Sequence, residues 1–535
     1  MISILLTTIL TAASLNNIEI EIYDELTPLF PDSKLESNKT TFQCDSPRNT
    51  YAAVHLLING ADPDIPLTLS SNIDGNWYKL ITVPVEENTG KKSRTEQFDG
   101  EENPNVIRRA PFEIYEIMEP VVHSIVPDDS VIALRFEIPI PADANVGTQT
   151  VTLTLQQNGN KTNCEYQLNT FSAQVPDSGK NSLSYTNWFN IKKMATFHEL
   201  ELYSDAHWKM VDKYAAMMKR GRQNTFWVSW PYFFSNDLIL DKEKLKEYVD
   251  RFTKAGLWWI EGSTIAHRPN GDWSSPYLQL KLGKSETHTP QGLKDLKSIT
   301  VQMMDAIVEF GWEDRWVQHI ADEPTDTNAK EYAALSSYIR DYMPDIPIVE
   351  ATMSRELIGS VDIWCPQVQE FQANIDFFKE RQKEGDQVWT YTCLIPGGKW
   401  LNRLLDMERL RQVYFGWAAS KYDISGYLHW GLNQYHADPF TQSVVDHPAM
   451  PNTTNKLPSG DTHVIYPGDD EPWSGLRFEA HRIGLEDFEM LAQLKKLNPT
   501  IHDEIVHAIF KQYDEYETNV SKYRVARKAL IQALH

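Results

Sequence analysis

Cysteine is scarce in this chain: four residues, Cys44, Cys164, Cys365 and Cys393, in 535. That excludes a disulfide-stapled scaffold, and their spacing fits no CxxC zinc or redox pattern. Cys44 and Cys164 fall in the same N-terminal region, where they either pair after export or stay as buried thiols. Basic charge is also short, with 51 Lys and Arg against 74 Asp and Glu and a net charge of −23. No basic stripe or helix-turn-helix signature occurs, so neither nucleic acid nor an anionic membrane surface is expected as the main partner. No segment reaches the roughly 20 apolar residues of a transmembrane helix. There is no internal repeat and no low-complexity tract. The one apolar run at a terminus, residues 1–16, ends in small residues and reads as a signal peptide without the usual Lys or Arg, or alternatively as a buried first strand. With the signal reading, the mature protein is soluble and extracytoplasmic. Sequons stand at Asn38, Asn160, Asn452 and Asn519 and matter only in a eukaryotic secretory pathway.

Aromatic residues, by contrast, are plentiful: 16 Trp, 23 Tyr and 21 Phe. At this length two or three domains are expected. Residues 17–176 read as an all-β sandwich, with alternating or apolar runs at 18–23, 51–59, 65–70, 77–85, 131–139 and 148–156 separated by turn clusters. Residues 86–104, charged and glycine-containing, read as a long exposed loop. From 180 to 498 short strands alternate with helices. Strands are expected at 183–189, 225–230, 258–262, 316–321, 346–351, 362–366, 388–393 and 426–430. Helices are expected at 205–220, 242–254, 292–310, 328–342, 374–384, 405–420 and 476–494. Eight such units predict an α/β chain of the (β/α)8, TIM-type barrel class. Residues 499–535 read as a C-terminal helical extension.

The most telling local run is Trp316-Val317-Gln318-His319-Ile320-Ala321-Asp322-Glu323-Pro324. A strand-like stretch ends in two adjacent carboxylates, and Pro324 stops the strand. In barrels that edge carries the chemistry. Neighbouring carboxylates resist ionising together, so one tends to stay protonated, which suits the acid and base work of glycosidic cleavage. The other expected strand ends supply Trp188, Asn190, Trp227, Trp230, Glu261, Glu350, Trp364, Gln367, Tyr391, His429, Trp430 and Asn433. Rings that stack on pyranose faces and amides that bind hydroxyls make a sugar-binding set. Barrel-core packing is the competing reading for each tryptophan.

An ordinary retaining barrel glycosidase places a second carboxylate about 5 Å from the acid. Here the seventh strand, Val388-Trp389-Thr390-Tyr391-Thr392-Cys393, has none. Glu261 and Glu350 are possible substitutes. The simpler reading makes Asp322 and Glu323 the working pair in a substrate-assisted route, with the sugar's own 2-acetamido oxygen as nucleophile. His429, His436 and His463, with Asp438 and Asp461 nearby, match no metal signature, and no metal or other cofactor is expected. A glycan-binding protein without activity is the alternative from another class.

Taken with Gly426-Tyr427-Leu428-His429-Trp430-Gly431, Tyr466-Pro467-Gly468 and the run from Ser474-Gly475-Leu476-Arg477 to Asp487-Phe488-Glu489, the layout resembles glycoside hydrolase family 123, the β-N-acetylgalactosaminidases, over roughly residues 50–500. The resemblance implies an exo-acting, retaining enzyme on terminal β-linked N-acetylhexosamine. It implies Asp322 as the group that orients the acetamido function and Glu323 as general acid/base, with Tyr391 reaching the acetamido carbonyl. Trp227, Glu261, Trp364, Trp430 and Asn433 are the remaining expected substrate contacts. Arg477 and Glu479 are expected to anchor the last helix by ion pairs rather than to touch substrate.

Overall fold

A computed structural model describes residues 18–35 and 42–535. The expected signal segment 1–16 and the sequon Asn38 lie outside the described residues. The N-terminal part is two stacked sheets. The larger runs Glu19–Asp24, Thr50–Asn59, Val131–Ile140, Asn76–Val85, Phe112–Val121, Pro472–Gly475 and Ile465–Pro467 in that spatial order. The smaller runs Phe42–Arg48, Asn160–Gln174, Gly147–Gln157, Leu67–Ser71 and Ser124–Ile125. Val54, Leu56, Ile58, Leu134, Phe136, Leu153 and Leu155 fill the space between them. The two last strands of the larger sheet come from far down the chain, where Ser474 pairs with Met118 and Gly475 with Ile117. No disulfide links Cys44 to Cys164.

The strand Thr50–Asn59 is apolar almost throughout because both its faces are covered. Its outer face, with its neighbours', carries a buried ionic network. Arg135 meets Glu25 and Glu137 at 2.9 Å each, and Arg220 bonds Glu137 at 2.7 Å and Glu479 at 2.8 Å. Arg482 holds Glu479 at 2.8 Å and Glu486 at 2.6 Å. Arg477 pairs with Glu116 at 2.7 Å and donates to the carbonyls of Arg403, Gly460 and His463. Arg477 and Glu479 are thus committed to anchoring the long helix Leu476–Leu497 against the sandwich. Charges buried this deeply persist only when each has partners, because an orphaned one costs several kcal/mol.

The C-terminal residues form the helices Pro499–Ile509 and Val520–Ala533 around a short hairpin, Phe510–Gln512 with Glu515–Tyr516. Arg524 on Asp24 and Arg527 on Asp487 tie the last helix down.

The segment 86–104 differs from expectation. It is not an exposed loop: Asn88, Thr89, Thr95 and Asn103 are buried, and it contains the short helix Glu96–Asp99. The Asp406 carboxylate accepts from the Thr89 N–H and hydroxyl at 2.7 Å each and from Asn88 at 3.1 Å. Glu86 accepts from the N–H groups of Ser443 and Val444. Glu86 and Arg94 bind other loops, while Lys91, Lys92 and Glu102 stay at the surface, a division that local composition does not reveal.

Eight short parallel strands follow: β1 (Ser184–Asn187), β2 (Thr225–Val228), β3 (Trp259–Gly262), β4 (Trp316–Gln318), β5 (Val349–Ala351), β6 (Ile363–Cys365), β7 (Gln387–Tyr391) and β8 (Gly426–His429). Their ladders form two sheets, β1-β8-β7-β6-β5 and β2-β3-β4. A single bridge, Gln318 to Ile348, joins β4 to the β5 side. Between β1 and β2 side chains replace the ladder: Asn224 Oδ1 accepts from the Tyr185 N–H at 2.9 Å, and Gln223 Nε2 donates to the Asn187 carbonyl at 3.0 Å. Among the described residues the expected ring is therefore two parallel sheets, not one continuous ladder. Helices follow seven of the eight strands, and only turns connect β5 to β6. The strands enclose Val317, Val349, Ala351, Ile363, Cys365, Trp389, Tyr391 and Leu428.

Candidate active site

The chain beyond β4 is held from two sides. On one side, Glu350 Oε2 accepts from the N–H groups of Ile320 and Ala321 and from the Tyr332 hydroxyl, all at 3.0 Å. On the other, Arg268 Nη1 donates to the carbonyl oxygens of Asp322, at 3.0 Å, and Glu323, at 2.7 Å. Pro324 removes one donor, and its carbonyl accepts from the Thr352 hydroxyl at 3.0 Å. Glu323 has φ of 48°, the left-handed region that costs a residue with a Cβ about 1 kcal/mol or more. The clamps on both flanks maintain that backbone, on which two successive carboxylates follow the strand end. Asp322 and Glu323 are both half-buried.

The Tyr391 hydroxyl, at the end of β7, donates to Glu323 Oε1. Burial, and then the neighbouring Asp322 charge, push the Glu323 carboxyl up to about 7, against the opposing pull of the Tyr391 hydrogen bond and of Arg268. Burial also lifts the Tyr391 phenol well above its ordinary value, so it remains a donor. A carboxyl poised near neutrality can give a proton and take it back.

Glu261 and Glu350 are occupied elsewhere. His319, fully buried, stands between them, with Nε2 2.8 Å from Glu261 Oε1 and Nδ1 3.1 Å from Glu350 Oε1. Burial disfavours the imidazolium, but hydrogen bonds to the two carboxylates overcome it and raise His319 to about 10. For Glu350, burial raises the carboxyl and the His319 cation pulls it back. Glu261 also accepts from the Thr186 hydroxyl at 2.6 Å and the Trp188 indole at 3.0 Å. Both carboxylates are fully buried, with every oxygen already hydrogen-bonded. Together they form a structural triad beneath the candidate pair.

The aromatic residues separate into two groups. Trp227 lies against Trp188 with centroids 4.0 Å apart and planes 22° apart, and both rings make T-shaped contacts with His319. Trp430, half-buried just past β8, has its ring 6.2 Å from His436. Trp364 is not with them. Strand alternation turns it away from the strand interior, where it packs on Phe377 and Phe378 and donates to Asp386 at 2.8 Å. Its expected substrate contact is corrected to core packing. Asn433 is also committed: Oδ1 accepts from the Asn190 N–H at 2.8 Å and Nδ2 donates to the Asn190 carbonyl at 3.1 Å. It fastens the β1 connection and is fully buried.

Among the described residues no three His, Cys, Asp or Glu side chains are grouped to hold a metal ion. His429 illustrates why. Its Nδ1 accepts from the Gly431 N–H at 3.1 Å, which leaves the proton on Nε2, 3.3 Å from Asp461. His319 and Arg268 had no expected role. His319 lies in the Asp322 run itself, but its partners are 58 and 31 residues away in sequence. Arg268 is in a loop without a local signature.

Residues 257–494 match the profile described as glycoside hydrolase 123, catalytic domain. A family 123 glycoside hydrolase from Clostridium perfringens, described in terms of glycolipid glycan hydrolysis, superimposes over 97% of this chain and 97% of its own, with TM-score 0.70 and 13% identity. At that identity the likeness is one of fold. An endo-β-1,4-mannanase from Thermotoga petrophila covers 58% of this chain and 77% of its own at TM-score 0.37 and 11% identity, too distant to support an argument. No curated protein matches the sequence. Residues 257–494 thus match a glycoside hydrolase 123 catalytic domain, and the chain is a glycoside hydrolase.

Proposed function

We propose that the protein is an exo-acting, retaining β-N-acetylgalactosaminidase that cleaves terminal β-linked N-acetylhexosamine with assistance from the substrate's 2-acetamido group. The observation that carries the reading is the adjacent Asp322–Glu323 pair, with Glu323 raised to about 7 and no other carboxylate at the strand ends free to act as nucleophile. In this mechanism the acetamido oxygen attacks the anomeric carbon while Asp322 accepts the acetamido N–H. Glu323 gives its proton to the departing glycosidic oxygen. The Glu323 carboxylate then takes a proton from water as that water opens the cyclic oxazolinium, and the second inversion at carbon restores the β configuration.

Trp188, Trp227, Tyr391 and Trp430 surround the terminal sugar in this reading, and residues 180–498 act as one (β/α)8 catalytic unit beside the 17–176 sandwich. The glycolipid glycans named for the Clostridium perfringens relative are the substrate class to try first. No helix among the described residues is long and apolar enough to cross a membrane. The apolar run 1–16 supports placing the enzyme outside the cytoplasm. The test is release of the aryl group from β-N-acetylgalactosaminide and β-N-acetylglucosaminide, with and without EDTA. Release that survives the chelator supports the reading, and release from neither sugar overturns it.

A further inference from the structure

The excursion between β3 and β4 presents two aromatic rings to solvent, Trp273, 52% exposed, and Tyr277, 50% exposed. Isolated exposed rings are ordinary. Trp273 is distinguished by what lies beneath it. The Arg268 guanidinium stacks on one face, 3.7 Å from the ring centroid, and the same guanidinium donates to the carbonyls of Asp322 and Glu323. The ring is therefore one guanidinium away from the catalytic corner. Its orientation is fixed before any ligand arrives, because a planar cation occupies the inner face and leaves the outer one open. A fixed aromatic plane loses little conformational entropy on binding.

We propose that Trp273 is a stacking platform for the leaving-group sugar, with Arg268 setting both the ring and the catalytic corner. The inference rests on the exo-acting reading. In that reading the terminal sugar is taken by Trp188, Trp227, Tyr391 and Trp430, and the exposed Trp273, joined to the catalytic corner through Arg268, is left for the part of the glycan beyond the scissile bond. The ligand class is a neutral pyranose with an unbroken C–H patch on one face. Galactose fits this description, since its axial 4-hydroxyl leaves C3, C4 and C5 hydrogens together on the opposite face.

The test compares kcat/KM on N-acetylgalactosaminyl-β-galactose with that on methyl N-acetyl-β-galactosaminide, which has nothing to stack. Trp273→Ala is expected to lose about 10-fold on the disaccharide, the scale of one aromatic contact, and several-fold less on the methyl glycoside. Trp273→Phe is expected to regain most of the loss. Equal losses on both substrates, or no loss on either, would overturn the platform. Wild type cleaving neither substrate would defeat the functional reading alone. Calorimetric binding of the disaccharide then decides the platform: weaker binding by Trp273→Ala supports it, and equal binding overturns it.

Discussion

The hydroxyl of Tyr391 donates its hydrogen bond to Oε1 of Glu323, tying the end of β7 to the carboxyl that follows β4. This bond favours the ionised carboxylate and holds Glu323 below the value that burial and Asp322 alone would set. Tyr391→Phe is therefore expected to raise the Glu323 pKa further. As a proton donor, Glu323 is active below its pKa, so wild-type rate should fall as pH rises through about 7. In the variant that limb should move to higher pH, with a loss of about 10-fold at the optimum. An unmoved limb would mean that the phenol does not act on Glu323.

Glu323→Gln removes the proton donor and leaves the acetamido contact of Asp322. It should cost on the order of 10²-fold or more on a natural glycoside and less on an activated aryl glycoside, which departs without protonation. Asp322→Asn should cost a similar amount on both, because formation of the cyclic intermediate precedes any leaving-group advantage. Leaving-group rescue seen only in Asp322→Asn would reverse the two roles.

Much of this arrangement is legible in sequence. The order of the eight strands, the helix spans and the acidic pair all follow from local patterns: hydrophobic periodicity and a proline after two carboxylates. Trp364 and Asn433 are not legible as core residues, because alternation within a three-residue strand and a partner 243 positions away decide their roles. His319 is hidden for the same reason: its charge depends on Glu261 and Glu350, brought together only by strand pairing. The ladder gap between β1 and β2 depends on Asn187, Gln223 and Asn224 side chains that substitute for backbone bonds, which no hydropathy pattern encodes.

His319 supplies a stability prediction. Its value rises on folding from 6.5 to about 10, so its contribution is complete below pH 6.5 and is lost as pH rises through about 10. His319→Gln leaves two buried carboxylates without their cation and should cost about 3–5 kcal/mol in urea unfolding at pH 7. A cost under about 1 kcal/mol would mean that the triad is not ionic.

Arg477 separates anchoring from substrate contact. Arg477→Met leaves Glu116 with Arg409 as its one remaining buried arginine and removes the donor to three carbonyl acceptors. It should lower stability by about 3–5 kcal/mol and leave KM of the remaining folded enzyme unchanged. A raised KM at unchanged stability would instead place Arg477 in the binding site.

The proposed mechanism makes the substrate's acetamido oxygen the nucleophile. Its most direct measurement is kcat/KM across aryl β-galactosaminides bearing N-acetyl, N-fluoroacetyl, N-difluoroacetyl and N-trifluoroacetyl groups. Fluorine withdraws electrons from the attacking oxygen, so a steep, monotonic fall is expected, with the trifluoroacetyl substrate slower by on the order of 10²-fold or more, the size of a lost transition-state contact. A rate independent of fluorination would contradict it and return the search for a nucleophile to the protein.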